Sequence, residues 1–286
     1  MGEKLAKTII LTSAFLSIAA LMGVSVMLFK EGIPFFLRVS PLDFLLGGSW
    51  HPTYNPPEFG ILPIVIGTIV VTFGALLVGI PLGLASATYL AFFAPLSLRE
   101  VLKPILEILA CIPSVVYGFF GMVILGPLII KLFSVSVGLN AFNASLVLGI
   151  MIVPLVTSTA EDAMSLVPYD LLEASYALGA TKWRTIVYVV VPTAWPGILS
   201  SILLGMGRAI GETMTVLMVA GGAASIPRSI FDPVRTMTAT IAAEMGEAPF
   251  RSLHYHALFA IGAILFLITV LLNFVAERFA KRMIFQ

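Results

Sequence analysis

Charge is what this sequence most lacks. Charged residues make up 11% of its 286 positions and the mean hydropathy is +1.06, whereas a soluble domain carries about 25% charged residues. That scarcity excludes an ordinary soluble chain and points to a polytopic membrane protein. The formal net charge of +1 gives no sign of a nucleic-acid partner. Cysteine is almost missing too. Cys111 is the only one, so no intrachain disulfide can form, and its place in an apolar run suits a small buried side chain. No G-x-x-x-x-G-K-[ST] phosphate loop occurs, so these residues hold no ATPase of their own. No set of His, Cys, Asp and Glu gives metal spacing or a nucleophile with its base, and no metal is expected. His254 and His256, two apart, face different ways on a helix and fit the outer end of the last span.

What the sequence does hold is long apolar runs. Thr8 to Phe29 is 22 residues without a charge, after Lys4 and Lys7. A signal-peptide core is about 7–15 residues, and a bilayer takes about 20, so the run is expected to be a first transmembrane helix that is kept. Six spans are expected, near 8–29, 62–93, 106–131, 143–160, 196–220 and 255–277, in one transmembrane domain covering 1–286. The second lies in 40 uncharged residues, Phe59 to Leu98, which could also make a hairpin at Gly79-Ile80-Pro81. Basic residues decide. One helix there puts nine Lys and Arg on the side of both termini and six on the other. Positive residues mark the cytoplasm, so the expectation is six helices with both termini inside.

The outer segments, 30–58 and 221–254, are more than linkers. Phe35, Phe36, Phe44, Trp50 and Tyr54 are a composition suited to the membrane–water boundary. Val234 to Met245 lacks Gly and Pro and precedes Gly246, which predicts a short helix with a glycine stop.

Arg208 and Glu212 are the only charges between Trp195 and Ala220. A charge at the bilayer centre costs about 2.5–3.5 kcal/mol on insertion scales, so two of them need a reason. Four apart on a helix they share a face and can pair. The pair reads either as a functional site or as a salt bridge that locks packing. In span three, Pro113 and Gly118 predict a bend that exposes Ser114 and Tyr117 to a path.

The cytoplasmic loop, 161–195, reads as two short helices. Pro168 opens the first, Gly179 stops it and Thr181 caps the second. Leu171, Leu172, Ala174, Ala177 and Leu178 offer an apolar face, and Trp183 is expected to pack. Glu173-Ala174-Ser175, three residues, Gly179, nine residues, Val189, one residue, Val191-Pro192 resembles the E-A-A loop of bacterial ABC importer permeases. It departs from that pattern at Ser175, Val189 and Val191, with the spacing intact. Gly205 to Val216 resembles the G-R-A-x-G-E-T-M motif of phosphate importer permeases, and Ile112-Pro113-Ser114-Val115-Val116-Tyr117-Gly118 their I-P-S-V-V-Y-G segment. Glu58 to Pro63 and Phe231-Asp232-Pro233 fit as well. Met214-Thr215-Val216 after the G-E-T resembles the C-type of the two phosphate permease subunits, since the A-type continues with A-P.

This resemblance implies an all-α integral membrane protein of the type I, MetI-like permease fold. It implies that Glu173, Ala174, Ser175, Gly179, Ala180 and Thr181 couple to an ATPase, and that Arg208, Glu212 and Thr213, with Ser114 and Tyr117, belong to a translocation pathway. The implied partners are a second, A-type permease, an ATP-binding dimer that alone binds ATP, and an extracytoplasmic phosphate-binding protein, with inorganic phosphate as substrate. The chain itself is then not an enzyme, needs no cofactor and sits in the inner membrane. Arg208 offers a planar fork for phosphate oxygens, and Glu212 could hold that fork or accept a hydrogen bond from the protonated oxygen of phosphate. A permease for molybdate or sulfate stays open as an alternative, as does a secondary transporter or channel using the Arg–Glu pair.

Overall fold

A computed structural model describes residues 2–284. In chain order, α1 is Gly2–Phe36, α2 Pro41–Leu46, β1 Trp50–His51, β2 Glu58–Phe59 and α3 Leu62–Thr88. There follow α4 Leu96–Ala110, α5 Ser114–Phe120, α6 Gly126–Phe133 and α7 Ala141–Ser165. The remainder is α8 Tyr169–Ala177, α9 Lys182–Thr185, α10 Val191–Gly211, α11 Met214–Val219, α12 Met237–Glu244 and α13 Leu253–Ile284. Single wide turns join three of these to their neighbours, at Tyr89–Phe93, Gly121–Leu125 and Ile186–Val190. Among the described residues six helical stretches are long and apolar enough to cross a membrane: Leu5–Phe36, Leu62–Phe93, Ser114–Phe133, Ala141–Ser165, Lys182–Gly211 and Leu253–Val275. The six expected spans are there, and Gly79-Ile80-Pro81 lies inside one continuous helix rather than a hairpin.

Two spans differ most from expectation. The third span begins at Ser114, not near 106. Proline has no amide to give and pushes the residue before it out of the helical region, so Cys111-Ile112-Pro113 breaks the run, and 96–110 is a separate helix. The fifth span begins at Lys182 and ends at Gly211, ahead of the expected 220. The second helix expected in the 161–195 loop is therefore not short but the start of this span. Cys111, expected to be buried, is exposed at the break.

The chain divides into two compact units, one up to Leu62 with Thr240–Leu267, the other Pro63–Ala239 with the residues from Ile268. In the first unit aromatic residues of 30–58 make a small core. Phe35, Phe44 and Trp50 are buried, while Tyr54 stays exposed. Phe35 meets Phe44 and Phe59 edge-on, with ring centroids 4.7 and 5.4 Å apart. β1 pairs antiparallel with β2, Trp50 opposite Phe59. Trp50 Nε1 donates to Glu244 Oε2 at 3.0 Å, and His254 Nε2 meets the same oxygen at 2.8 Å. His256 Nδ1 instead meets the Glu31 carbonyl at 2.7 Å, so the two histidines do face different partners.

The second unit is built around α7, the most buried span. Asn140 caps it, its side chain accepting from the Asn143 amide at 2.9 Å. Glycines let α3 lie close against it: a Cβ on Gly79 would stand 2.4 Å from Ile152 Cγ1, and one on Gly83 2.7 Å from Val156 Cγ1. Val71, Ala75, Leu148, Ile152, Ala209 and Val216 fill the core. Without water in a bilayer to drive apolar association, such small-residue approach is what packs spans.

Candidate functional site

The site grows from the way the fifth span stops. Gly207 and Gly211 flank Arg208, and glycine weakens a helix by about 1 kcal/mol relative to alanine. At Glu212 the backbone leaves the helix, with ψ 128°, and its amide reaches only the Ala209 carbonyl. Thr213 is the turn, and α11 restarts at Met214. Arg208 and Glu212 therefore do not share one unbroken helix, as their spacing had implied. They meet nonetheless: Arg208 Nη2 stands 3.6 Å from Glu212 Oε2.

The two partners have different surroundings. The Glu212 side chain is 6% exposed and that of Arg208 is 48%. Glu212 Oε1 accepts from the Thr215 amide at 3.2 Å, satisfying a free N–H at the start of α11. Its carbonyl accepts from Thr238 Oγ1 at 2.8 Å. Thr213 Oγ1 donates to the Gly211 carbonyl at 3.3 Å. A Cβ placed on Gly207 or Gly211 would meet nothing within 4 Å, so these glycines border open space next to the arginine. The carboxylate is thus built into the break, and the guanidinium beside it is half-exposed.

Ser114 comes to this break from the third span, which starts at a break of its own. The Ser114 carbonyl accepts from Thr215 Oγ1 at 2.8 Å. Gly118 allows the approach of α5 and α11, since a Cβ there would lie 2.8 Å from Met218 Sδ and 3.2 Å from the Thr215 Cα. Tyr117 turns back across its own break, donating to the Leu109 carbonyl at 3.0 Å. Two interrupted helices are thus fastened to each other beside Arg208. Thr215 and Thr238 were not found from the sequence, because a threonine in an apolar run carries no signal of which distant carbonyl it will meet.

The 161–195 loop folds as its residues predict at the turn. Gly179 has φ +81°, the left-handed region that glycine enters without strain. Its amide donates to the Tyr176 carbonyl at 2.9 Å, and that of Ala180 to Ser175 at 3.2 Å, closing the end of α8. Thr181 Oγ1 accepts from the Arg184 amide at 3.4 Å, and Ser175 Oγ pairs with Thr185 Oγ1 at 2.9 Å. Leu172 points inward, packed with Met164, Val190, Ala194 and Ile198, so it leaves the expected apolar face. Glu173, Ala174 and Leu178 stay exposed. Trp183, expected to pack, is also exposed on this chain. From Lys182 the helix runs 30 residues to Gly211, about 45 Å at 1.5 Å per residue, joining this loop to the break at Glu212.

A second charged cluster escaped the sequence reading. Glu161, 1% exposed, takes Arg99 and Lys103 from α4, with Lys103 Nζ 2.8 Å from Oε2. Lys103 also stands 2.5 Å from Asp162 Oδ1, and Ser165 Oγ donates to Glu161 Oε1 at 2.9 Å. The hydrogen bonds to Asp162 and then Glu161 hold the Lys103 ammonium above its ordinary pKa of 10.5. Arg99 and Lys103, four apart on an amphipathic helix, facing Glu161-Asp162 at the end of a span, were the signal available.

Comparison with known proteins follows this geometry. Residues 79–285 match the family described as binding-protein-dependent transport system inner membrane component. A probable ABC transporter permease protein of Bacillus subtilis, YqgH, is 38% identical over 97% of this chain and 92% of its own. The phosphate transport system permease protein PstC of Mesorhizobium japonicum is 36% identical over 94% of this chain and 87% of its own. PstC of Pasteurella multocida is 37% identical over 77% and 75%. Among solved structures, the inward-facing MetNI methionine ABC transporter is similar with a TM-score of 0.62 at 19% identity, over 78% of this chain and 95% of that one. A bacterial alginate ABC transporter in complex with its pentasaccharide-bound periplasmic protein gives 0.66 at 12%, over 98% and 94%. These two structures speak for the fold.

Proposed function

The chain belongs to the family of binding-protein-dependent transport system inner membrane components, and we propose that it is the C-type permease subunit of an ATP-driven importer of inorganic phosphate. The observation that carries this reading is the broken fifth span, with a half-exposed arginine fork beside open space and its carboxylate partner buried beneath it. The identity to proteins named PstC supports phosphate as the substrate.

Arg208 in this reading touches the phosphate oxygens as the anion passes a dry region. Glu212 holds the arginine while the path is empty. Its Oε1 is already engaged by the Thr215 amide, so holding suits it better than accepting a hydrogen bond from phosphate. Nearby carboxylate charge keeps the anion loosely bound, as passage requires. Thr213, Ser114 and Tyr117 border the same stretch of path. Glu173, Ala174, Ser175, Gly179, Ala180 and Thr181 dock on one ATP-binding subunit, and the helix from Lys182 carries its movement to Arg208. Both termini and the coupling loop then lie in the cytoplasm. The whole chain acts as one permease domain and forms half of the pathway. An A-type permease supplies the other half, a pair of ATP-binding subunits the energy, and an extracytoplasmic phosphate-binding protein the substrate.

Purification in mild detergent with identification of the accompanying chains tests the assembly. Phosphate uptake by the reconstituted set, its sensitivity to vanadate and its competition by sulfate and molybdate test the substrate. Uptake that follows an ion gradient with no ATP-binding chain present would overturn the proposal.

A further inference from the structure

Thr215 and Thr238, 0% and 8% exposed, are two buried threonines beside the break between α10 and α11, the Thr238 hydroxyl on the Glu212 carbonyl and the Thr215 hydroxyl on the Ser114 carbonyl. In hydrocarbon a backbone group freed by a helix break has to find a partner within the protein. With ψ at 128° the Glu212 carbonyl turns out of the helix, and the partner it meets is Thr238. We infer that Thr215 and Thr238 are positioning residues for the Arg208–Glu212 pair. Thr238 fixes the carbonyl of Glu212. Thr215 fixes its carboxylate through the amide, and through the hydroxyl fastens α11 to the start of α5. The inference rests on the reading of Arg208 as the group that meets phosphate.

Residues 234–238 are themselves held, which is why Thr238 can act as a fixed point. Val234 donates to the Ala220 carbonyl at 2.8 Å and accepts from the Gly222 amide at 3.0 Å. The Met237 amide donates to Thr68 Oγ1 on α3 at 3.0 Å, and Thr68 Oγ1 donates in turn to the Ile64 carbonyl at 2.8 Å. Gly67 makes room: a Cβ there would lie 2.4 Å from the Arg235 carbonyl oxygen. Thr236 Oγ1 stands 3.2 Å from Thr238 Oγ1. Adjacent residues of this segment are therefore tied on one side to α3, through the Met237 amide, and on the other to the Glu212 carbonyl, through the Thr238 hydroxyl. Glu212 is held on one side by this segment and on the other by α11, and the side chain left adjustable between open space and carboxylate is that of Arg208. A shift of either support moves the carboxylate relative to the guanidinium.

The test uses the complete reconstituted complex, with phosphate uptake measured against concentration and normalised to assembled complex. Thr238→Val and Thr215→Val keep shape and remove the hydroxyl. Each is expected to lower maximal uptake about tenfold, the effect of one lost hydrogen bond, with little change in the phosphate concentration at half-maximal rate. Thr238→Ser and Thr215→Ser are expected to restore most of it. A role in folding alone would lower the yield of complex and leave uptake per complex unchanged, which overturns the inference. Serine variants as impaired as the valines overturn it too. If Thr238→Val does not assemble, Thr238→Cys, a weak donor of similar size, is read the same way. Arg208→Gln separates the two levels. Normal uptake by it removes the underlying reading, whereas its inactivity together with wild-type maximal rates in both valine variants removes only the inference.

Discussion

Glu161→Gln is the substitution whose effect can be worked out most fully. The carboxylate is 1% exposed and fastens α4 to the end of α7 through Arg99 and Lys103. Removing one partner of a buried ion pair costs about 3–5 kcal/mol, because the other charge is left uncompensated. Here the abandoned cations are 32% and 31% exposed, so water reaches both. Lys103 also keeps Asp162 at 2.5 Å, and glutamine still offers a carbonyl to Arg99. The expected loss is therefore nearer about 2 kcal/mol, or about 5 °C in melting temperature for a chain of this size. Thermal unfolding in detergent measures it, with Glu100→Gln and Glu107→Gln as controls, exposed carboxylates on the facing helix α4 that should melt as wild type. Lys103→Met should cost less than Glu161→Gln, since Arg99 remains on the carboxylate. A Glu161→Gln protein that melts with the wild type, or controls that fall equally, would refute the reasoning.

Further outcomes follow from the same geometry. Gly79→Ala should destabilise by about 1–3 kcal/mol through overpacking, because its Cβ would sit 2.4 Å from Ile152 Cγ1 and 2.8 Å from the Gly149 carbonyl oxygen, whereas Gly207→Ala meets nothing within 4 Å and should melt no lower than wild type. Gly179→Val places a β-branched residue at φ +81° and should cost about 1–2 kcal/mol locally; the readout is ATP-driven uptake, expected to fall while ATP hydrolysis by the partner persists uncoupled. Lys103 titrates above 10.5 when folded. Its contribution to stability is complete below the unfolded value and is lost as pH rises through the folded one. The gap in melting temperature between wild type and Lys103→Met should then hold steady from neutral pH to about 10 and close only above that.

Much of the fold was legible because hydropathy and charge bias are summed over long runs. The 40 uncharged residues from Phe59 to Leu98 could be resolved as one helix on the count of basic residues alone. What stayed hidden depends on a single dihedral or on a distant partner. Apolar content does not register the break at Cys111-Ile112-Pro113, where only the backbone changes, and a proline there reads equally as a kink. The pairing of Arg208 with Glu212 was legible from spacing, yet the helix between them ends, since the carboxylate turns to the amide of Thr215 instead of continuing the run. Gly179 and Thr181 were legible because their effects are local. Glu161 with Arg99, and Thr238 with the Glu212 carbonyl, were not, because each pair is far apart in sequence and only tertiary packing brings it together. Phe35, Phe44 and Trp50 suited a membrane boundary by composition and a small core by contact, and composition alone does not separate the two.

Phosphate uptake by the Arg208→Gln complex, reconstituted with its ATP-binding partner, tests the central claim most directly. Glutamine keeps length and some donors but loses the charge and the fork, so an assembled complex that still hydrolyses ATP should carry almost no phosphate inward. Uptake at the wild-type rate by that complex would contradict the account.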